Sequence, residues 1–443
     1  MIFETDYKLE DFILNTRWEA LPKTVQERMK GCFVDLMGAL LIGSRSEQFR
    51  TGLRLARSIY GTGSIPVIGA KETFSFMGAA AAMGHSSNAY DIDDGHNLIR
   101  AHPGTSFVGA VLAAAYEKDL CLHDFLTALL VAYETTIRMG AAIMDYYQYA
   151  HSSGTFGAVG VAAGVGRIYG FDRTQLNNVL SIAEFNAPLV PGIRSVEYPS
   201  MNKDGVPFGV MVGCLAVQEA LCGFTGNKHL LEAREHRHYL DGLGSRWEVM
   251  ELYFKPYTCC RWAHPAIDAC IGLMKEHGLR SDDLRTVTVE TFHRATLLSK
   301  IVPKDADEAQ YNIAYPVAAS LVYGDFGYDQ LKDGALGDPK VVEMMGRLRF
   351  VTDEKLDALF PAHRICRVRM ETADGRILVS PECEPRGEAC ENIGIDWLSH
   401  KFRRIAGAVV PKDGCETLLQ LMTGTENVSV RTIVDTANRL LQS

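Results

Sequence analysis

From Asp6 to about Phe254, apolar side chains recur every three or four positions, the spacing that lines one face of a helix, so this half of the chain reads as almost entirely helical. The clearest helices span 122–142, 154–169, 173–184 and 206–221. The second of these carries Gly157, Ala158, Gly160, Ala162, Ala163 and Gly164, small residues that let helix axes approach closely. The texture changes after a helix over 265–277. Residues 284–292 (LRTVTVETF) alternate as a strand does, and 364–371 and 377–380 flank Ala373-Asp374-Gly375-Arg376, where Asp-Gly accepts the backbone dihedrals of a tight hairpin turn. Beyond Pro385-Arg386-Gly387 the helical spacing returns over 395–405, 414–422 and 428–441. The expected fold class is therefore mostly α: an all-helical domain over 1–254, completed by 392–443 packing back on it, and a smaller α/β (α+β) domain over 255–391.

With 443 residues, 47% of them apolar, the chain has ample material for buried cores. Its 45 Lys+Arg against 54 Asp+Glu give a net charge of -9, and no basic run breaks the balance, which excludes the electrostatic footprint of a nucleic-acid binder. An anionic ligand must then be met by a local cluster of cations. The longest uninterrupted apolar stretches, such as 107–116 and 125–133, are about ten residues, roughly half of a membrane span, so no transmembrane helix and no membrane partner are expected. Glu4, Asp6, Glu10 and Asp11 stand where a signal peptide would carry bases. Eleven cysteines without a CxxC pair or regular spacing favour a reducing cytoplasm over a disulfide framework.

Three segments carry candidate chemistry. Residues 154–170 contain GVGRIYG, yet polar-aromatic 145–151 precedes the glycines where a phosphate-binding loop needs an apolar strand, so they read as a helix-packing face. Asp91-Ile92-Asp93-Asp94-Gly95-His96 opens like a calcium loop but has Gly95 at position five and His102 at position twelve, where a Glu belongs. Cys259, Cys260 and His264 match no zinc spacing. No metal and no cofactor are expected. Carboxylates beside His96 and His102 at the start of a helix suit proton transfer instead. Residues 254–265 gather Lys255, Arg261, His264, Tyr257 and Trp262 at the expected domain junction, where ligand clefts form.

YDIDDGHNLIRAHPG, AHSSGTFGAVGVAAGVGRIYGFD, MNKDGVPFGVMVGCLAVQEALCGFTG, FKPYTCCRWAHPAIDA, AQYNIAYPVAASLVYGDFG and ECEPRGEACENIGIDWLSHKF stand in this order along nearly the whole chain. Together they resemble the MmgE/PrpD superfamily, whose members include 2-methylcitrate dehydratase, cis-aconitate decarboxylase and iminodisuccinate epimerase. The resemblance implies a helical domain built from both chain ends, a smaller α/β lid, a homodimer, and cofactor-independent chemistry on a small anionic di- or tricarboxylate. A base would remove a proton next to a carboxylate, and cationic groups would stabilise the intermediate. It assigns catalytic roles to His102, Lys203, Lys255, His264 and Tyr315, with Tyr315 as an acid and a lysine pKa lowered by desolvation, and substrate contacts to Asp91 and His151; His96 and Arg261, marked by their own segments, join them as expected substrate contacts. Two positions depart from the decarboxylase and dehydratase pattern: Gly95 stands where a Thr is usual, and Lys203-Asp204-Gly205-Val206 replaces Lys-x-Leu-His. Both remove groups that a citrate-type substrate would contact, which tilts the expectation toward an epimerase or isomerase over a hydro-lyase. A non-catalytic helical scaffold with a degenerate pocket is the alternative from outside enzymology.

Overall fold

Small residues along the glycine-rich helix set how closely the first half packs. In the computed structural model, which describes residues 1–148, 151–332 and 334–442, the helix Ser153–Ile168 is buried through Gly166 and lies against Leu122–Tyr147 and Val206–Leu221. A β-carbon on Gly209 would lie 2.2 Å from the Gly154 carbonyl oxygen, and one on Gly154 would lie 2.2 Å from that of Gly205. Leu122–Tyr147 is long and apolar enough to cross a membrane, and its most apolar stretch is wholly buried inside the protein. The other helices expected from the spacing are present within a few residues of their expected ends: Arg173–Phe185, His264–Glu276, Ile395–Ala406, Lys412–Thr423 and Val430–Gln442.

The architecture is mostly α, with three small sheets among the described residues. One core joins Phe33, Leu129 and Phe156 to Phe402, Leu418 and Ile433, so both chain ends share it. A second core lies under a four-stranded sheet in the order Leu348–Thr352, Leu284–Thr291, Cys366–Thr372, Ile377–Val379, backed by His264–Glu276 and Ala314–Tyr323. The first pair is parallel and the other two are antiparallel. The Asp374-Gly375 turn closes as expected, with Gly375 at φ 90°.

Two ribbons correct the all-helical reading of the first 254 residues. Thr62–Pro66 pairs with Thr73–Phe74, and Asp94–His96 pairs with Leu252–Phe254. Strands of two to five residues are too short for a two-residue period to stand out. The second ribbon matters most. Tyr90 and Ile92, just before it, belong to the second core, while Phe254 belongs to the first. The acidic loop therefore lies where the two cores meet.

Candidate active site

The helix Phe76–Ser87 ends at Asn88, and the chain turns at Asp91 with φ 50°, a left-handed conformation unusual for a residue with a side chain. The antiparallel ribbon then sets Asp94 opposite Phe254, which brings the next residue, Lys255, under the turn. Its Nζ lies 2.6 Å from Asp91 Oδ1, with both side chains buried. His102 closes the group: Nε2 is 3.5 Å from Asp91 Oδ1, and Nδ1 is 3.3 Å from Asp93 Oδ2 and 2.8 Å from the Asp94 carbonyl oxygen.

These contacts fix protonation states. Burial and the Lys255 charge oppose a charged His102, but the Asp93 carboxylate outweighs them and raises its pKa to about 10. Burial likewise opposes the Asp93 carboxylate, and His102 outweighs it, lowering that pKa to about 2. His102 is thus an imidazolium at neutral pH, a proton donor and not a free base. Burial would lower Lys255, yet Asp91 and Asp93 hold it above the ordinary lysine value. The expectation that desolvation makes a basic lysine here is corrected: paired carboxylates win over burial. Asp94 lies deeper, bonded by the Tyr133 hydroxyl and the Gly104 amide, and burial raises it to about 7.

Lys203, at φ 36°, points its ammonium at Gln310 Oε1 (2.7 Å), Asp307 Oδ1 (3.3 Å) and the carbonyls of Asn88 and Ala89. It ties the second core to the turn before Asp91. Its neighbour Asp204 accepts from Ser152 Oγ (2.5 Å) and the Tyr311 hydroxyl (3.2 Å). Asp91, His102 and Asp204 each present an atom within 4.8 Å of the other two. This trio is a poor cation site, because an ammonium already occupies Asp91 and the imidazolium offers no lone pair.

His264 is wholly buried, and its Nε2 lies 3.0 Å from the Cys259 carbonyl oxygen. Burial and the nearby Lys255 charge keep it neutral, and Nδ1 has no hydrogen-bond partner among the described residues. Arg261 lies 3.4 Å from the centre of the Tyr253 ring, donates to Asn97 Oδ1 (3.1 Å) and pairs with Glu388. Arg364 donates to the same Asn97 oxygen, at 3.2 Å.

Three candidates lie apart from the Asp91 group. His96 faces Glu248 at 3.9 Å, and burial lowers its pKa to about 4. His151 bridges to Pro191 and meets the rings of Tyr147 and Phe156, one residue before Ser152. Tyr315 sits in the second core, its hydroxyl donating to the carbonyls of Gln330 and Ala335. Tyr311, four positions earlier, is the tyrosine that reaches Asp204. Asp204, Tyr311 and Lys401, whose Nζ is 2.5 Å from Asp35 Oδ1 and 2.6 Å from the Ile92 carbonyl oxygen, were not singled out from the sequence. Only their adjacency to Lys203 and the QYN and HKF segments hinted at them.

Helical ends sharing one core, a small α/β layer and a buried cluster of carboxylates, a lysine and a histidine between them define the class. The chain belongs to the MmgE/PrpD family: residues 7–243 match the MmgE/PrpD N-terminal domain and 257–426 the MmgE/PrpD C-terminal domain. Among curated proteins it is similar to the cis-aconitate decarboxylase-like protein oryM of Aspergillus oryzae, 24% identical over 434 residues, covering 89% of this chain and 88% of that protein. Family members are enzymes of dehydratase and decarboxylase type.

Proposed function

We propose that this protein is an enzyme that moves a proton at a carbon next to a carboxylate of a small di- or tricarboxylic acid, without metal or organic cofactor. The observation that carries the reading is the buried meeting of the His102 imidazolium, the Lys255 ammonium and Asp91 at the junction of the two cores. At rest each cation is neutralised by an internal carboxylate. A substrate carboxylate competes with Asp91 for Lys255, which then stabilises the negative charge that grows when the adjacent carbon loses its proton. His102 supplies a proton, and the unprotonated Nδ1 of His264 or the Asp204 carboxylate accepts one.

A cavity of about 410 Å³ opens beside Lys203, bounded by Arg194, Ser195 and Asn202, but Asp91, His102 and Lys255 do not line it. The second-core layer over 255–391 therefore acts as a lid that must shift to admit substrate. Exposed Phe208 and Leu215 on one helix, with Phe185 and Phe224 nearby in sequence, support a homodimer, and the eleven free thiols fit the cytoplasm.

The epimerase reading is preferred because Gly95 and Val206 withhold contacts from a citrate-type substrate. The second reading, a lyase, is favoured by the name of the Aspergillus relative. Incubation with di- and tricarboxylates in heavy water, with a strong chelator present throughout, separates them. Epimerisation places solvent deuterium at the inverted centre with composition unchanged. A lyase accumulates an unsaturated acid or releases carbon dioxide. Activity lost to the chelator and restored by a divalent metal would overturn the metal-free mechanism.

A further inference from the structure

Tyr253 stands in the middle of the strand Leu252–Phe254, and its two neighbours are fully buried in the first core, so strand alternation turns Tyr253 the other way. It is paired with Gly95 of the acidic loop. A β-carbon on Gly95 would lie 2.1 Å from Cζ and 2.2 Å from the hydroxyl oxygen of Tyr253, so the end of the ring lies directly on the glycine backbone. Arg261 sits over the ring. The residue that departs from the usual Thr is thus the one that makes room for a different hydroxyl.

We propose that the Tyr253 hydroxyl is a proton-transfer group of this active site, working with His102, and that Gly95 is glycine because any side chain there would displace it. The proposal rests on the proton-transfer reading above and sets the phenol oxygen as the base in place of His264 Nδ1 or the Asp204 carboxylate. Four cations face the phenol: His102 from the acidic loop, Lys255 from the end of its own strand, Arg261 from the turn above and Arg364 from the segment before Cys366–Thr372. Burial disfavours the phenolate, but these charges outweigh it and lower the phenol below its ordinary pKa. In the step, the phenolate oxygen takes the proton from the carbon next to the carboxylate and becomes the phenol. The C–H electron pair moves into the carboxylate as an enediolate, and the His102 imidazolium gives its proton to the same carbon. Solvent then takes the phenol proton and returns one to the imidazole.

Tyr253→Phe keeps the ring on Gly95 and removes only the oxygen. Turnover should fall about 100-fold or more with KM little changed, and the rise of activity with pH that reports phenol ionisation should vanish. The difference in phenolate absorbance between wild type and Tyr253→Phe should show one tyrosine ionising below about 10. Gly95→Ala, with melting followed to confirm the fold, should lose activity although the hydroxyl remains. An active wild type with Tyr253→Phe equally active and unchanged in pH profile overturns this proposal and leaves the site reading standing. A wild type that exchanges no proton of any di- or tricarboxylate sinks both.

Discussion

The Asp93–His102 pair holds a carboxylate and an imidazolium together inside the fold, and each shifts the other's ionisation. Because the folded state raises His102 to about 10, the pair stabilises the fold fully below the ordinary histidine value of about 6.5 and loses this contribution as pH rises through about 10. Asp93, lowered to about 2, contributes above its ordinary value of about 3.9 and stops contributing as pH falls through about 2. His102→Ala leaves Asp93 buried without its partner, so urea unfolding at neutral pH should show a loss of about 3–5 kcal/mol, shrinking above pH 10. Turnover of His102→Ala, and of Lys255→Ala, should fall about 100-fold or more, whereas His277→Ala, just past the end of His264–Glu276, should match wild type. Equal losses at all three positions would mean that the effect is structural. Asp91, His102 and Lys255 stand out locally as acids, an imidazole and a lysine in short charged segments, whereas Lys203, which reads locally as a solvated first-turn residue, is marked only by the family resemblance. Tyr311 and Tyr315 lie one helical turn apart in the same segment, and only the packing decides which hydroxyl meets Asp204 more than 100 positions away.

Between helices, glycine rather than leucine sets the geometry. The contact of Gly209 with the Gly154 carbonyl fixes Val206–Leu221 against Ser153–Ile168, and Lys203 and Asp204 lead directly into the former. Gly209→Ala should therefore destabilise the protein by about 1–3 kcal/mol through overpacking. Gly272→Ala, on His264–Glu276 with nothing within 4 Å of the added carbon, should raise stability by about 0.5–1 kcal/mol. Thermal melting of the two variants with opposite signs checks this, and a shared sign contradicts it. The long helices were legible because a period of three to four repeats many times along them. The ribbon Asp94–His96 with Leu252–Phe254 was not, since three residues hold no repeat and its partners stand more than 150 positions apart. The parallel strand Leu348–Thr352 escaped for the same reason.

Across the whole molecule, the two ends of the chain meet beneath the acidic loop. Lys401 reaches from Ile395–Ala406 to Asp35 on Lys23–Gly43 and to the carbonyl of Ile92. Burial lowers Lys401 and raises Asp35, so each depends on the other to stay charged. Lys401→Met should cost about 3–5 kcal/mol in urea unfolding, and adding Asp35→Leu should recover part of it. A double variant whose loss is the sum of the two single losses would show that the pair is not coupled.

Timing during synthesis follows from this one lysine. The helices that carry the acidic loop leave the ribosome first, yet the cation that neutralises Asp35 belongs to one of the last three helices to be made. Until that helix emerges, Asp35 lacks its cation and the Ile92 carbonyl its ammonium donor. The first core itself draws on Phe402, Leu418 and Ile433 from these late segments, so the loop gains its support only as that core is completed.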